Sequence, residues 1–320
     1  MSEPGVDVVC PGTVLERMSF LRGADYTLDP LVGGLTNRNY RVSTSRGVDY
    51  VARFAGGKSE LLAIDRDAEA YNSAVAATLG IGPQVVEYSP ADAVLVVTWI
   101  DGRTCTDELL DDPDALAAVA ATCRTLHSGP RFAGDFDMFA VQQNYLRIVR
   151  ERGFRVPPGY LDFADDVAAL DQVLHASADA TVACHNDLLA ANIMLDGRRV
   201  WFIDYEYSGN NDRCFELGNI WSEADLPLDR LEHLIACYLG RPDPVLVARA
   251  RLFATMAKYG WTLWASIQDA VSEVDFDFWT WGLAKYQRAV AEFRSPEFAR
   301  LIDTVSQSTG KGAAPWPQST

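Results

Sequence analysis

Apolar positions follow two different periodicities along the chain. Within residues 1–100, short β-branched or alternating runs predict strands at 26–32, 39–44, 48–54, 84–88 and 93–100, and an Ala- and Leu-rich run predicts a helix at 60–79. Farther along, apolar residues recur at helical spacing, which predicts helices at 113–126, 139–152, 161–176, 228–238, 245–268 and 278–293. We therefore expect an α+β protein with a small β-rich lobe over 1–100, a larger helical lobe over 101–309 and a disordered tail over 310–320.

One polar loop in the helical region lies between two short apolar runs. Residues 181–185 and 200–203 are typical of strands, and the sequence LDG at 195–197 is a turn signal between them. A hairpin of this kind would return Asp204 to the side of Asn192. Because Asn and Asp are common in ordinary turns, the loop taken alone is equally compatible with a structural role.

The residue types in this loop are those that phosphoryl transfer requires. His185 and Asp187 form an H-x-D pattern, Asn192 follows five residues after the Asp, and Asp204 ends the next apolar run. One carboxylate can accept the proton of an attacking hydroxyl, while an amide oxygen and a second carboxylate can hold Mg²⁺. The second Asp, placed directly after a hydrophobic strand, favours this function over a structural turn.

A glycine-containing hairpin near the N-terminus is the candidate nucleotide site. Glycines let the backbone approach phosphate groups closely, although a Gly-Gly turn is common in any hairpin. The following strand carries Arg53 in an apolar context, and Glu69 on the next helix is its expected partner. The alternative for Arg53 is a solvated charge on an edge strand. The hairpin residues expected to contact phosphate are Gly33, Gly34, Thr36 and Asn37.

Charge and cysteine usage restrict the class of protein. The formal net charge of −16 argues against nucleic-acid and anionic-membrane partners and is compatible with a cationic substrate. The six cysteines form no C-x-x-C pair, so we expect reduced packing residues in a cytoplasmic protein. The N-terminal residues lack the basic and apolar regions of a signal peptide, and no run is long enough to span a membrane.

Four segments, in this order, resemble the motifs of the choline/ethanolamine kinases. This family belongs to the wider group that includes the aminoglycoside phosphotransferases, and the resemblance extends from about residue 33 to about residue 293. It implies a two-lobed protein kinase-like fold. The segments are GGLTN at 33–37, HNDLLAAN at 185–192, IDYEYSG at 203–209 and ELGNIWSE at 216–223.

The resemblance implies ATP and Mg²⁺ as cofactors and gives roles to the polar residues. Asp187 would be the catalytic base, Asn192 and Asp204 the magnesium ligands, and Arg53 the ATP-binding arginine. A protein kinase is disfavoured, because Arg53 stands where such an enzyme has Lys and no activation segment follows Asp204. The residues expected to support the catalytic loop are His185, Glu206 and Glu216.

The acceptor would be a small cationic amino alcohol. Trp261 and Trp264 lie three residues apart on one predicted helix, which is also the spacing of ordinary core packing. Indole faces attract an ammonium group, and the resemblance places Trp261, Trp264, Trp281 and Glu223 at the substrate cation. Residues 224–227 (ADLP) depart from the animal enzymes, which carry further aromatic residues there. Trp279 is left as core or rim.

The sequence leaves several functions open. We expect an ATP-dependent kinase of choline, with ethanolamine as a weaker or the true substrate. A phosphotransferase of the same fold that acts on an aminoglycoside or another amino alcohol is the nearest alternative. A catalytically inactive nucleotide-binding protein is disfavoured by the presence of Asp187, Asn192 and Asp204 together. The amine, the oligomeric state and the pathway, lipid synthesis or glycan decoration, are not determined.

Overall fold

An antiparallel five-stranded sheet forms the N-terminal part of the molecule. The computed structural model describes residues 10–56, 59–178, 180–197 and 199–308, so the predicted tail over 310–320 lies outside the described residues. The strand order is β1-β2-β3-β5-β4, which places β3 in the centre. The strands are β1 (Tyr26–Leu31), β2 (Asn37–Thr44), β3 (Asp49–Ala55), β4 (Val85–Ser89) and β5 (Val94–Thr98).

Two helices pack on opposite faces of this sheet. The short α1 (Pro11–Leu15) covers the face that carries Ala52 and Phe54, whereas α2 (Arg66–Thr78) contacts the other face. Side chains alternate between the faces of a strand, so Arg53 faces α2. The prediction of one helix over 60–79 began too early. The Asp65 side chain accepts hydrogen bonds from the backbone of the first turn and starts α2 at Arg66.

Among the described residues, eight larger helices and one short helix form the C-terminal part, and α9 is at its centre. Residues 252–268 of α9 are all buried, as expected for a helix packed on every side. Helices α5, α7, α10 and α11 surround it. The helices are α3 (Asp107–Leu110), α4 (Pro113–His127), α5 (Met138–Arg152), α6 (Ala164–Ala176), α7 (Arg213–Glu223), α8 (Leu228–Leu239), α9 (Pro244–Val271), α10 (Phe278–Phe293) and α11 (Pro296–Ser308).

Two small sheets hold the predicted polar loop. The strands are β6 (Arg103–Thr104), β7 (Val182–Cys184), β8 (Ile193–Asp196), β9 (Arg199–Phe202) and β10 (Gly209–Asn211). The β8–β9 hairpin pairs Ile193 with Phe202, and the Ile203 N–H donates to the Asn192 carbonyl at 3.0 Å. The chain entering Asp204 therefore returns beside Asn192.

The mixed α/β architecture, with its sheet first and its helices after, confirms the predicted fold class. The lobe boundary at residue 100 stays a prediction. None of the described helices is long and apolar enough to cross a membrane. The cysteines are free, and of the six only Cys10 is exposed.

Candidate active site

Helix α7 holds the loop over residues 185–192, hereafter the HND loop. The Glu216 carboxylate on α7 is fully buried and accepts hydrogen bonds from the backbone N–H groups of His185 and Asn186, at 2.8 and 2.7 Å. Asn186 has a φ of +67°, in the left-handed region, and its side-chain amide donates to the Tyr207 carbonyl at 3.0 Å. The loop geometry is thus determined by contacts from α7 and from the segment after Asp204.

His185 is buried in its neutral form. Its Nε2 lies 2.8 Å from the Ile203 carbonyl, which must accept, so the proton is on Nε2. Nδ1 then accepts the backbone N–H of Asp187 at 3.3 Å. Burial lowers the pKa of His185 and outweighs the nearby Glu216 charge, which raises it. Both ring nitrogens of His185 are therefore engaged, and the residue orients the Asp187 backbone.

Asp187 has the properties of a proton acceptor. Burial raises its pKa well above the ordinary carboxyl value, and the charges of Glu223, Glu206 and Asp204 add to this effect. The Asn192 side-chain nitrogen donates to the backbone carbonyl of Asp187 at 2.8 Å and lies 3.3 Å from the Oδ2 atom of the Asp187 carboxylate. These two contacts use the amide nitrogen, and no hydrogen bond from the described residues reaches the Asn192 side-chain oxygen.

Arg53 on β3 links the five-stranded sheet to Asp204, the second candidate metal ligand. Its guanidinium pairs with Glu69 at 3.0 Å and also with Asp204. The Arg53 side chain is 10 % exposed on a central strand, so the alternative of a solvated edge-strand charge is wrong. Burial alone would raise the pKa of Asp204, but the Arg53 charge and hydrogen bond outweigh it and lower that pKa. Asp204 is thus ionised.

Glu206 contacts the glycine hairpin. Its two carboxylate oxygens accept from the Thr36 hydroxyl at 2.7 Å and the Asn37 amide at 2.9 Å, and Arg66 donates to it at 3.1 Å. We expected Glu206 to support the HND loop, but its hydrogen bonds reach the sheet side instead, because its partners are on β2, on the turn before it and on α2. Arg66, which also bonds Glu69 at 2.7 Å, was not identified from the sequence. Its position three residues before Glu69 was the available signal.

Little open space separates these ion pairs. A cavity of about 10 Å³ is lined by Asn37, Arg53, Arg66 and Glu69, together with residues on or beside β3, β4 and β5, and has room for about one water molecule. Gly33 and Gly34 lie at the exposed tip of the hairpin, both with φ near +100°. Both positions require glycine for this turn. The Thr36, Asn37 and Arg53 side chains are therefore already bonded to carboxylates of the protein.

Two of the predicted acceptor residues, Trp261 and Trp264, contact Tyr207, and Trp281 contacts Trp264. The Trp264 indole N–H donates to the Tyr207 hydroxyl at 2.7 Å, and the Trp261 ring lies 5.1 Å from the Tyr207 ring. The Trp281 ring of α10 lies 5.5 Å from the Trp264 ring at 62°. Trp261 and Trp264 are buried, whereas Trp281 is half-buried. Trp279 instead carries the Arg155 guanidinium 3.9 Å above its ring, at the rim.

Lys285 occupies the cation position that we predicted from Glu223 and Trp281. Its Nζ lies 2.7 and 2.6 Å from the two Glu223 oxygens and 4.3 Å from the centre of the Trp281 ring. The side chains of Lys285 and Glu223 are 8 % and 7 % exposed. The sequence analysis missed Lys285, although it follows Trp281 by four residues and so shares its helix face.

A second group of potential metal ligands is better explained by hydrogen bonding. His127, Cys184 and Glu216 are buried, with their candidate ligand atoms within 4.8 Å of one another. Both Glu216 oxygens already accept backbone N–H groups. The Nδ1 atom of His127 is hydrogen-bonded to the Tyr238 hydroxyl at 2.8 Å. The group therefore anchors the HND loop.

Comparisons with known proteins identify relatives of this chain. A model described as the phosphotransferase enzyme family matches residues 27–252. Protein LicA of Haemophilus influenzae is 25 % identical over 253 residues, covering 76 % of this chain and 74 % of that protein. An ethanolamine kinase of Drosophila melanogaster is 27 % identical over 289 residues, covering 78 % of this chain but only 55 % of its relative, so the chain spans about half of that protein.

A solved structure is similar to this chain in three dimensions. The crystal structure of a choline/ethanolamine kinase family protein from Mesorhizobium loti is 31 % identical, with a TM-score of 0.80 over 92 % of this chain and 97 % of that one. With a family model over more than half of its length and a relative of this identity and coverage, the chain belongs to the phosphotransferase enzyme family and, within it, to the choline/ethanolamine kinases.

Proposed function

We propose that the protein transfers the γ-phosphoryl group of ATP to the hydroxyl of a small amino alcohol, choline or ethanolamine. The observation that carries the proposal is the site formed by Glu223 and Trp281. A buried carboxylate and an indole face there hold an ammonium group, that of Lys285, and both Glu223 and Lys285 are close enough to Asp187 to shift its pKa. An acceptor with a cationic head and a nearby hydroxyl fits this pairing of a cation site with a base.

The nucleotide would bind between the sheet and the HND loop. Asn192 offers an amide oxygen and Asp204 an ionised carboxylate, which is the oxygen donor set that Mg²⁺ prefers. When bound, Mg²⁺ would neutralise the charge of the phosphates. Arg53 pairs with Oδ1 of Asp204, which leaves Oδ2 as the atom that would hold Mg²⁺. The Arg53 guanidinium carries further N–H donors, which would serve phosphate oxygens.

Asp187 would act on the acceptor hydroxyl. The hydroxyl oxygen attacks the γ-phosphorus, its proton passes to the Asp187 carboxylate, and the bond from that phosphorus to the bridging β–γ oxygen breaks to release ADP. His185 and Asn192 keep the Asp187 backbone in place throughout. The raised pKa of Asp187 makes its carboxylate a better proton acceptor than an ordinary one.

A screen of acceptors tests this function. ATP consumption would be measured with choline, ethanolamine, the methylated ethanolamines and an aminoglycoside, and ³¹P NMR would identify the product. Asp187→Asn should abolish turnover while the melting temperature stays near that of the wild type, and Asp196→Asn, at an exposed position in the β8–β9 hairpin, should leave turnover unchanged. Phosphorylation of the aminoglycoside alone would replace the proposed acceptor. Stabilisation by Mg-ATP without turnover on any acceptor would indicate an inactive nucleotide-binding protein.

The acceptor site has its own test in a matched pair of tryptophans. A cation–π contact contributes about 0.5–2 kcal/mol, so Trp281→Leu should raise KM for the amino alcohol by about 2- to 30-fold. Trp279→Leu is the control, because Trp279 stacks against Arg155 at the rim of the same helix. An equal effect of the two substitutions would remove Trp281 from the acceptor site.

A further inference from the structure

The two groups that the proposed function assigns to the substrate cation are already engaged by a cation of the chain. Lys285 donates to both oxygens of Glu223 and lies over the face of Trp281. The pair is almost completely shielded from water. An incoming ammonium group therefore finds neither Glu223 oxygen nor the adjacent indole face available.

Both cations cannot occupy this site together. The Lys285 ammonium and the acceptor ammonium would have to share the Glu223 carboxylate. Two like charges within about 5 Å repel strongly where water is excluded. The Lys285 ammonium is attached to α10 by a flexible four-carbon chain, so it can leave while the helix remains in place. Glu223, at the end of α7, loses its only recorded ion-pair partner among the described residues when this happens.

We propose that Lys285 is an internal competitor of the acceptor and thereby a specificity-determining residue. This inference rests on the proposed function, since it assumes that the acceptor cation binds at Glu223 and Trp281. A cationic acceptor displaces the Lys285 ammonium and compensates the buried Glu223 charge in its place. A neutral alcohol cannot compensate that charge, so the Glu223–Lys285 pair stays closed and the alcohol is not held beside Asp187. Selection for positively charged acceptors thus follows from the cost of leaving Glu223 unpaired.

Displacement can be measured directly, because the chain has only four lysines, Lys58, Lys258, Lys285 and Lys311. The probe is tetramethylammonium, which has no hydroxyl to be phosphorylated and no N–H to react. The full-length protein would be treated with an amine-acetylating reagent with and without the probe, and the modification rate of each lysine would be read by mass spectrometry. Lys285 should react at least several-fold faster with the probe present, because its amine leaves the buried pair.

Lys258 is an internal control for this measurement. It is also buried, at 4 % exposure, lies on the neighbouring helix α9 and pairs with a glutamate, Glu292, at 3.3 Å. Its acetylation rate should not respond to tetramethylammonium. Slower acetylation of Lys285 in the presence of the probe, or an unchanged rate at saturating probe, would overturn the inference.

Substitutions give a second, independent measurement. If the site is free of Lys285 about one-tenth of the time, removing the ammonium should tighten binding by about tenfold. Lys285→Met should therefore lower the dissociation constant for tetramethylammonium, measured by calorimetry, whereas Lys258→Met should not. Glu223→Gln should weaken binding in the wild-type background and should cancel the gain in the Lys285→Met background. A Lys285→Met protein that binds the probe no more tightly would overturn the inference.

The two proposals fail in different ways. Absence of turnover on every amino alcohol by the wild-type protein would refute the proposed function. Normal turnover without probe-dependent exposure of Lys285 would refute only the competitor role. Folding of each variant would be checked by its melting temperature in the presence of Mg-ATP. If Lys285→Met is unstable, the acetylation measurement on the wild-type protein decides the inference.

Discussion

Replacing Glu216 with Gln tests whether α7 positions the catalytic loop. The Glu216 carboxylate accepts the backbone N–H groups of His185 and Asn186 with separate oxygens, inside a fully buried site. A glutamine side chain offers one oxygen and one NH₂ group. Its nitrogen would face a backbone N–H, two donors without an acceptor, and the remaining hydrogen bond would lose its charge.

The magnitude follows from these two bonds. A hydrogen bond to a charged group contributes about 1.5–3 kcal/mol, and leaving a buried donor unsatisfied costs about 1–3 kcal/mol. We therefore expect Glu216→Gln to lower the free energy of unfolding by about 3–5 kcal/mol. Because Asp187 directly follows the two anchored residues, its displacement by about 1 Å would lower kcat by about 100-fold. KM for ATP should change less, since Glu216 contacts neither Arg53 nor the hairpin.

The assay combines urea unfolding with steady-state kinetics, and Asp243→Asn is the matched control. The Asp243 carboxylate also accepts two backbone N–H groups, at 3.1 and 3.2 Å, but at the N-terminus of α9. Asparagine caps a helix about as well as aspartate, so this variant should stay within about 0.5 kcal/mol of the wild type. If Glu216→Gln were as stable and as active as the control, the HND loop would not depend on α7.

Three further outcomes follow from the geometry. An added Cβ at Gly218 would lie 2.2 Å from a backbone oxygen of α9, whereas one at Gly260 would meet a methionine side chain at 2.3 Å, so Gly218→Ala should lower the melting temperature more than Gly260→Ala. His185 has a lowered pKa in the folded state, so the unfolded chain takes up its proton first and stability should fall as pH drops below about 6.5; His185→Gln should flatten this dependence in urea titrations between pH 5.5 and 7.5. The Lys285 charge lowers the pKa of Asp187, so Lys285→Met should move the acid limb of kcat/KM to higher pH.

Each of these three predictions would be contradicted by a specific result. Equal melting temperatures for the two glycine variants would mean that moving α7 away from α9 costs no more than displacing the Met138 side chain. An unchanged pH dependence of stability in His185→Gln would mean that other groups account for the acid sensitivity. A shift of the acid limb to lower pH in Lys285→Met would contradict the electrostatic coupling of Lys285 to Asp187.

Local patterns in the sequence were sufficient for much of the fold and for one ion pair of the site. The apolar context of Arg53 in β3 predicted a carboxylate partner for it. Glu69, sixteen residues later on the next helix, is that partner, as predicted. The turn at 195–197 and the strand after it were also predicted from a local signal, whereas β8, the strand that pairs across this turn, was not predicted. Contacts of this kind depend on chain geometry over a few turns only.

The parts that were missed depend on packing between distant segments. Helix α7 was not predicted, because its residues 214–220 are all buried and so show no amphipathic period. Lys285 shares a helix face with Trp281, but its partner Glu223 is 62 residues away. Periodicity identifies which face a residue occupies and not which distant side chain meets that face.

The distance along the chain between Arg53 and Asp204 has a consequence for the time course of synthesis. The two residues are 151 positions apart. At about 5–20 residues per second, Asp204 is made about 8–30 s after Arg53. During this interval Glu69, already synthesised, is the carboxylate that can compensate the Arg53 charge as the sheet folds. Glu69 would thus compensate the Arg53 charge in the nascent chain before any nucleotide site exists. In ribosome-stalled chains that end before Asp204, the sheet should resist proteolysis when Glu69 is present and should be cleaved in the Glu69→Ala variant.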